Sequence, residues 1–279
     1  MVVSACARIL GGDTVAAETK SGTVLDRIIE ARRAAIAHRK KSVPETALRF
    51  GVKHAKPVRD FGAALTRDSL NVITELKKAS PSAGLIRADF DPVALAKGFE
   101  SAGAAALSVV TEEEFFQGDL KYMRDARAAV GLPVLRKDFI VDPWQVWEAR
   151  ATDADSFLLI VAALGDLLLG ELLVLGRELG MEPLVEVHTR EELTRALAAG
   201  ARIIGVNNRD LRSLEVRVKI SDELIQAIPD ECVAVCESGL RSHADLARLR
   251  AAGFDAFLVG EHLMAQPDPA AALRALVDA

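Results

Sequence analysis

Five short apolar runs in this 279-residue chain each stop at a polar group suited to holding or moving a proton. They are Val72-Ile73-Thr74-Glu75-Leu76-Lys77, Val134-Leu135-Arg136-Lys137, Pro183-Leu184-Val185-Glu186, Ile203-Ile204-Gly205-Val206-Asn207 and Val233-Ala234-Val235-Cys236-Glu237. Each has the length of a buried parallel strand. Buried strands have little use for such ends unless the ends meet. A closed parallel barrel makes them meet, because all its strands aim their C-terminal ends at one mouth.

The rest of the pattern fits that architecture. Gly103, Gly131, Gly180, Gly200 and Gly253 each stand just before an apolar run, where a left-handed residue closes a helix. Asp91-Pro92, Asp142-Pro143 and Asp268-Pro269 place a capping acid before a proline, the signature of a helix start. Eight strands are expected at Asn71–Lys77, Ala105–Val110, Pro133–Lys137, Ser156–Val161, Pro183–Val187, Arg202–Asn207, Cys232–Cys236 and Ala256–Val259. With the helices between them they make a single (β/α)8 barrel of the α/β class. The rival is a doubly wound open sheet, but its Gly-x-Gly-x-x-Gly fingerprint does not follow the first strand.

Residues 1–20 show no helical or strand period and are expected to be a mobile tail. The barrel unit is expected over 21–279, including a helical extension over 21–69. Val24, Leu25, Ile28 and Ile29 recur at helical spacing there, followed by Arg32, Arg33, Arg39, Lys40 and Lys41. This predicts an amphipathic helix outside the barrel with a solvated basic face. Trp144 and Trp147, three apart, predict packing of a later helix against the barrel.

The net charge of −5 is spread without long blocks of one sign, which gives no footprint for nucleic acid or an anionic membrane. An anionic small molecule would need a local cationic pocket. Three cysteines, Cys6, Cys232 and Cys236, fit a reducing cytosol better than a disulfide framework, and no zinc spacing accompanies them. No apolar run reaches the roughly 18–20 residues of a membrane span. Val3-Ser4-Ala5-Cys6 superficially matches a lipoprotein box, but no basic segment and apolar core precede it, so export is not expected.

Several motifs stand in order along the chain: Glu75-Leu76-Lys77-Lys78-Ala79-Ser80-Pro81-Ser82, Phe115-Phe116-Gln117-Gly118, Arg136-Lys137-Asp138-Phe139-Ile140, Gly205-Val206-Asn207-Asn208-Arg209-Asp210 and Glu237-Ser238-Gly239. With them the chain resembles the indole-3-glycerol phosphate synthase family from about Val24 to the C-terminus. The resemblance implies ring closure, decarboxylation and dehydration of 1-(2-carboxyphenylamino)-1-deoxyribulose 5-phosphate, a step of tryptophan biosynthesis. It implies a phosphorylated small-molecule substrate, a cytoplasmic enzyme, and no metal or redox cofactor. It leaves room for a monomer or weak homo-oligomer, and for contacts with other enzymes of the pathway.

Ring closure asks for an acid at the carbonyl oxygen, and dehydration asks for an acid and a base. Lys137 is the leading general acid. Glu75 and Lys77, two residues apart, leave their strand on the same face. The resemblance implies Glu186 as the candidate base for ring closure, Glu75 for dehydration, and Glu237 as an orienting or binding carboxylate. A carboxylate–ammonium pair at about 4 Å is worth roughly 4 kcal/mol before desolvation, so neighbours decide which group is the acid. Which lysine acts at which step stays open. Asn207 can orient a hydroxyl, and Arg209 either touches substrate or pairs with a rim acid. Ser80, Ser238-Gly239 and Gly260-Glu261 are the expected phosphate contacts. Phe116 and Phe139 are expected to hold an aromatic ring, whereas Phe115 reads equally as core. His262 departs from the serine or alanine that family members often carry after the glutamate or serine of this turn, and it is expected on a helix surface.

Overall fold

A computed structural model describes residues 22–210 and 215–278. The expected tail and Cys6 lie outside the described residues. Eight parallel strands close on themselves: β1 Asn71–Leu76, β2 Ala106–Val110, β3 Val134–Lys137, β4 Ser156–Ile160, β5 Leu184–Val187, β6 Ile203–Asn207, β7 Val233–Glu237 and β8 Ala256–Val259. Closure is made by β1 against β8, with Asn71 opposite Ala256. Every expected strand is present, with bounds differing by at most one residue. Nearly every strand residue is buried, as expected where lumen fills one face and helices cover the other.

The outer helices begin where the acid-proline pairs stand. Asp91, Asp142 and Asp268 each accept a backbone N–H of the first turn. Four of the five closing glycines are left-handed. Gly131 is the exception. Its helix ends in the extended residue Val130, and the Gly131 N–H donates to Glu100 Oε1 at 2.6 Å.

Helix α1, Val24–Ser42, starts with a capping box between Thr23 and Asp26. Its basic face is solvated as expected at Arg33, Lys40 and Lys41, but not at Arg32. Arg32 is 2 % exposed and reaches Asp138 at 2.5 Å and Glu113 at 3.3 Å. Arg39 pairs with Glu113 and Glu148, and Lys40 with Asp142. Asp138 also holds Arg136 at 2.9 Å, and Arg136 reaches Glu148 at 2.8 Å. Buried charges persist only when paired, so α1 is fastened to the segment just after β3. Outside the barrel strands, α1 also reaches the mouth, where Val24, Leu25 and Ile28 line the cavity. The two tryptophans pack against this extension: Trp144 donates to the Val43 carbonyl at 3.0 Å, and Arg49 lies 4.0 Å over the Trp147 ring. Cys236 is a packed thiol beside Ser221 and Asn208, pushed by burial up to about 11. Among the described residues no helix is long and apolar enough to cross a membrane.

Candidate active site

The ends of five strands converge on one charged cluster. Lys137, the last residue of β3, lies between two buried carboxylates. Its Nζ is 2.8 Å from Glu237 Oε2, at the end of β7, and 3.2 Å from Glu186 Oε2, on β5. Asn207, ending β6, stands beside the Glu186 side chain and favours its ionised form. Glu75 of β1 pairs with Lys77 at 2.8 Å, and the two share a face as their spacing requires.

This packing separates the proton affinities of like groups. Burial pushes Glu75 up, but Lys77 and Lys137 outweigh it and hold the carboxyl below its ordinary value. Burial also pushes Glu186 up, and Lys137 and His188 more than reverse it. At Glu237 burial dominates. Lys137 opposes it and Glu186 adds to it, leaving this carboxyl at about 7. Burial pulls Lys137 down, yet Glu237, Glu186 and Glu75 together drive it well above an ordinary lysine. Ionised carboxylates, a carboxyl poised near neutrality and a firmly held ammonium therefore share one site. Such divergence is characteristic of acid–base chemistry.

Two glycines make room for these groups. A Cβ on Gly205 would stand 2.2 Å from Glu237 Oε1, and one on Gly260 would stand 2.3 Å from Glu75 Oε2. No larger residue fits beside these carboxylates.

Above the cluster opens a cavity of about 560 Å³. All fourteen residues expected at the site line it. Ser80 sits in a short hairpin, Ala79–Ser80 against Gly84–Leu85, where its hydroxyl accepts the Ala83 N–H at 3.1 Å. Ser238 and Gly239 are consecutive left-handed residues, with φ of 66° and 79°. A serine held there is strained, and strain of this kind gathers at functional turns. Gly260 and Glu261 open the turn after β8. Arg209 pairs with Glu261 at 3.2 Å, which is the rim-acid alternative, and it also lines the cavity. Phe116 and Phe139 lie 6.0 Å apart across the cavity wall. Phe115 is partly buried against the core and does not line it.

Other residues were not foreseen. His262 lines the cavity instead of the helix surface, and burial and Arg241 lower its proton affinity. Glu112 is 3 % exposed and accepts three backbone N–H groups, from Glu114, Phe115 and Phe116. It fixes the loop that presents Phe116. A legible signal existed, since a tight loop after a buried strand needs an acceptor for its amides. His188 lies behind Glu186, with its Nε2 at 3.4 Å from Glu186 Oε1.

The indole-3-glycerol phosphate synthase family model matches residues 25–276. An indole-3-glycerol phosphate synthase of Rhodopirellula baltica is 47% identical over 256 residues, covering 91% of this chain and 99% of that protein. One from Rhizorhabdus wittichii is 49% identical over 257 residues, covering 91% and 97%. Among solved structures, a 4-hydroxy-2-oxoglutarate/2-dehydro-3-deoxyphosphogluconate aldolase superposes with a TM-score of 0.57 at 20% identity, covering 78% of this chain and 97% of that one. A thiamine phosphate pyrophosphorylase from Pyrococcus furiosus gives 0.55 at 15% identity, covering 74% and 93%. These two share the barrel alone. The sequence relatives carry the assignment: the chain belongs to the indole-3-glycerol phosphate synthase family, decarboxylating lyases of tryptophan biosynthesis.

Proposed function

We propose that the mouth of this barrel converts 1-(2-carboxyphenylamino)-1-deoxyribulose 5-phosphate to indole-3-glycerol phosphate, with the work divided among six residues. The observation that carries this division is one ammonium, Lys137, set between two buried carboxylates of opposite proton preference. Lys137 gives a proton to the carbonyl oxygen as the aromatic carbon attacks the carbonyl carbon. The carboxylate of the ring then leaves as carbon dioxide. Loss of the new hydroxyl as water takes one proton from an acid, and a proton of the methylene carbon beside the nitrogen goes to a carboxylate as the indole double bond forms. Glu186, kept ionised, takes the amine proton as the ring closes and returns it as carbon dioxide leaves, and Glu75 takes the methylene proton during dehydration beside Lys77. Glu237 orients the ammonium, and Asn207 orients a substrate hydroxyl.

The phosphate is read onto Ser80, the Ser238-Gly239 turn and the Gly260-Glu261 turn, with Arg209 at the rim. The anthranilate ring is read onto Phe116 and Phe139. The extension over 21–69 and the barrel act as one catalytic unit, because α1 contributes Val24, Leu25 and Ile28 to the cavity. The chemistry calls for neither nucleic acid nor membrane, and the reading places a monomer or weak homo-oligomer in the cytoplasm.

The fold is shared with aldolases, and a Schiff-base lysine is the competing role for Lys137. Such a lysine must be neutral to attack a carbonyl. Two carboxylates hold Lys137 cationic instead. Single turnovers test the division of roles. Lys137→Met should slow ring closure by about 10²–10⁴-fold, the usual worth of a general acid. Near-normal rates in both Lys137→Met and Lys77→Met would overturn it.

A further inference from the structure

His188 follows β5 immediately and lies behind the site, not in it. Its side chain is only 10% exposed. On one side its Nε2 faces Glu186 Oε1 at 3.4 Å. Among the described residues neither of these buried atoms finds another hydrogen-bond partner. On the other side its Nδ1 lies 3.2 Å from Glu192 Oε2, in the first turn of the helix Arg190–Ala198. The same carboxylate oxygen accepts the His188 backbone N–H at 2.7 Å. Glu192 thus holds both the ring and the backbone of this residue. The imidazole has little freedom, and the direction left to its Nε2 is toward Glu186.

A buried polar atom without a partner is costly. Two such atoms facing each other at slightly more than hydrogen-bond distance mark a contact that closes with a small shift. From these contacts we infer that His188, clamped by Glu192, is a positioning residue that keeps the Glu186 carboxylate oriented and ionised for proton abstraction. The inference rests on the reading of Glu186 as the base. No bond is made or broken at His188. The imidazolium works by charge and by direction.

The charges around it agree in sign. Glu186 faces it from its own strand, Glu192 from the following helix and Glu237 from β7. Arg190 and Glu223 share the shallow hollow behind the ring. Burial lowers the proton affinity of His188, but Glu192, Glu186 and Glu237 raise it further, so the ring carries a proton more readily than an ordinary histidine. The cation in turn favours the ionised form of Glu186.

The test is the pH dependence of kcat/KM for the carboxyphenylamino-deoxyribulose phosphate in wild type, His188→Asn and Glu192→Gln. Asparagine keeps a donor but removes the cation. Without the cation Glu186 takes up protons at higher pH, so the loss must deepen toward acid. His188→Asn is expected to move the acid limb of the profile up by about one pH unit, so that the loss approaches tenfold only at pH values below that limb. KM should stay within about twofold, because His188 does not line the substrate cavity. Glu192→Gln keeps an acceptor for the His188 N–H and should move the profile the same way by less. It carries the test alone if the histidine variant fails to fold. A purely structural role would lower activity equally at every pH. Unchanged profiles in folded variants would therefore overturn the inference while leaving Glu186 as the base. No turnover by the wild type at any pH would overturn the reading of Glu186, and this inference with it.

Discussion

Glu186 and Glu237 touch the same ammonium, yet burial and neighbours part them. Glu186 has Asn207 and His188 beside it, whereas Glu237 has Gly205 against one oxygen and little else to favour its charge. A stability consequence follows. The folded Glu237 carboxyl, at about 7, sits above its ordinary value of 4.5. A group raised in this way contributes stability that is fully present below its unfolded value and is lost as pH climbs through its folded value. Glutamine stays neutral at every pH. Glu237→Gln should therefore gain thermal stability relative to wild type between pH 5 and pH 8, on the order of 2 kcal/mol. Calorimetry at the two pH values checks this, and a constant or shrinking difference would contradict it. Gly205→Ala tests the same crowding from the other side. Its Cβ would meet the Glu237 oxygen, so about 1–3 kcal/mol of strain is expected, with a loss of activity larger than the loss of stability suggests. Unchanged Tm and kcat would contradict it. These candidate groups are legible in sequence because each ends an apolar run, where a lone charge is conspicuous. Gly205 and Gly260 stand in the same motifs, but nothing in a sequence says which side chain a missing Cβ makes room for.

At the scale of elements, the barrel strands were readable because burial on both faces leaves an uninterrupted apolar run. Helix α1 was readable as a helix but not as a part of the site. Its arginines look solvated within their own segment. Their partners lie far along the chain, 81 residues away at Glu113 and 106 at Asp138. Long-range pairing leaves no local period. The interaction matters to the site because Asp138 adjoins Lys137, and Phe139 follows. Arg32→Met removes one partner of a buried network and should cost about 3 kcal/mol, or roughly 5–10 °C in Tm. Because α1 also lines the cavity, KM should rise in the same variant. Thermal unfolding with steady-state kinetics checks both, and a wild-type Tm would show that the pairing is dispensable. Gly131 shows a smaller limit. A glycine before an apolar run suggests a left-handed turn, but here the backbone is extended and an amide bond to Glu100 shapes the turn instead.

The whole molecule separates scaffold from chemistry. The same barrel superposes on an aldolase at 20% identity, so the fold by itself assigns no reaction. The sequence relatives assign the reaction, and the residues proposed to perform it, Glu75, Lys77, Lys137, Glu186, Asn207 and Glu237, line one cavity. The most direct measurement is steady-state turnover of 1-(2-carboxyphenylamino)-1-deoxyribulose 5-phosphate by the purified protein, followed by growth of indole fluorescence, with Lys137→Met alongside. Turnover by the wild type, reduced by at least about 10²-fold in Lys137→Met, is the expected result. A folded wild type that binds this substrate and produces no indole-3-glycerol phosphate would contradict the proposed chemistry, as would equal turnover by the two proteins.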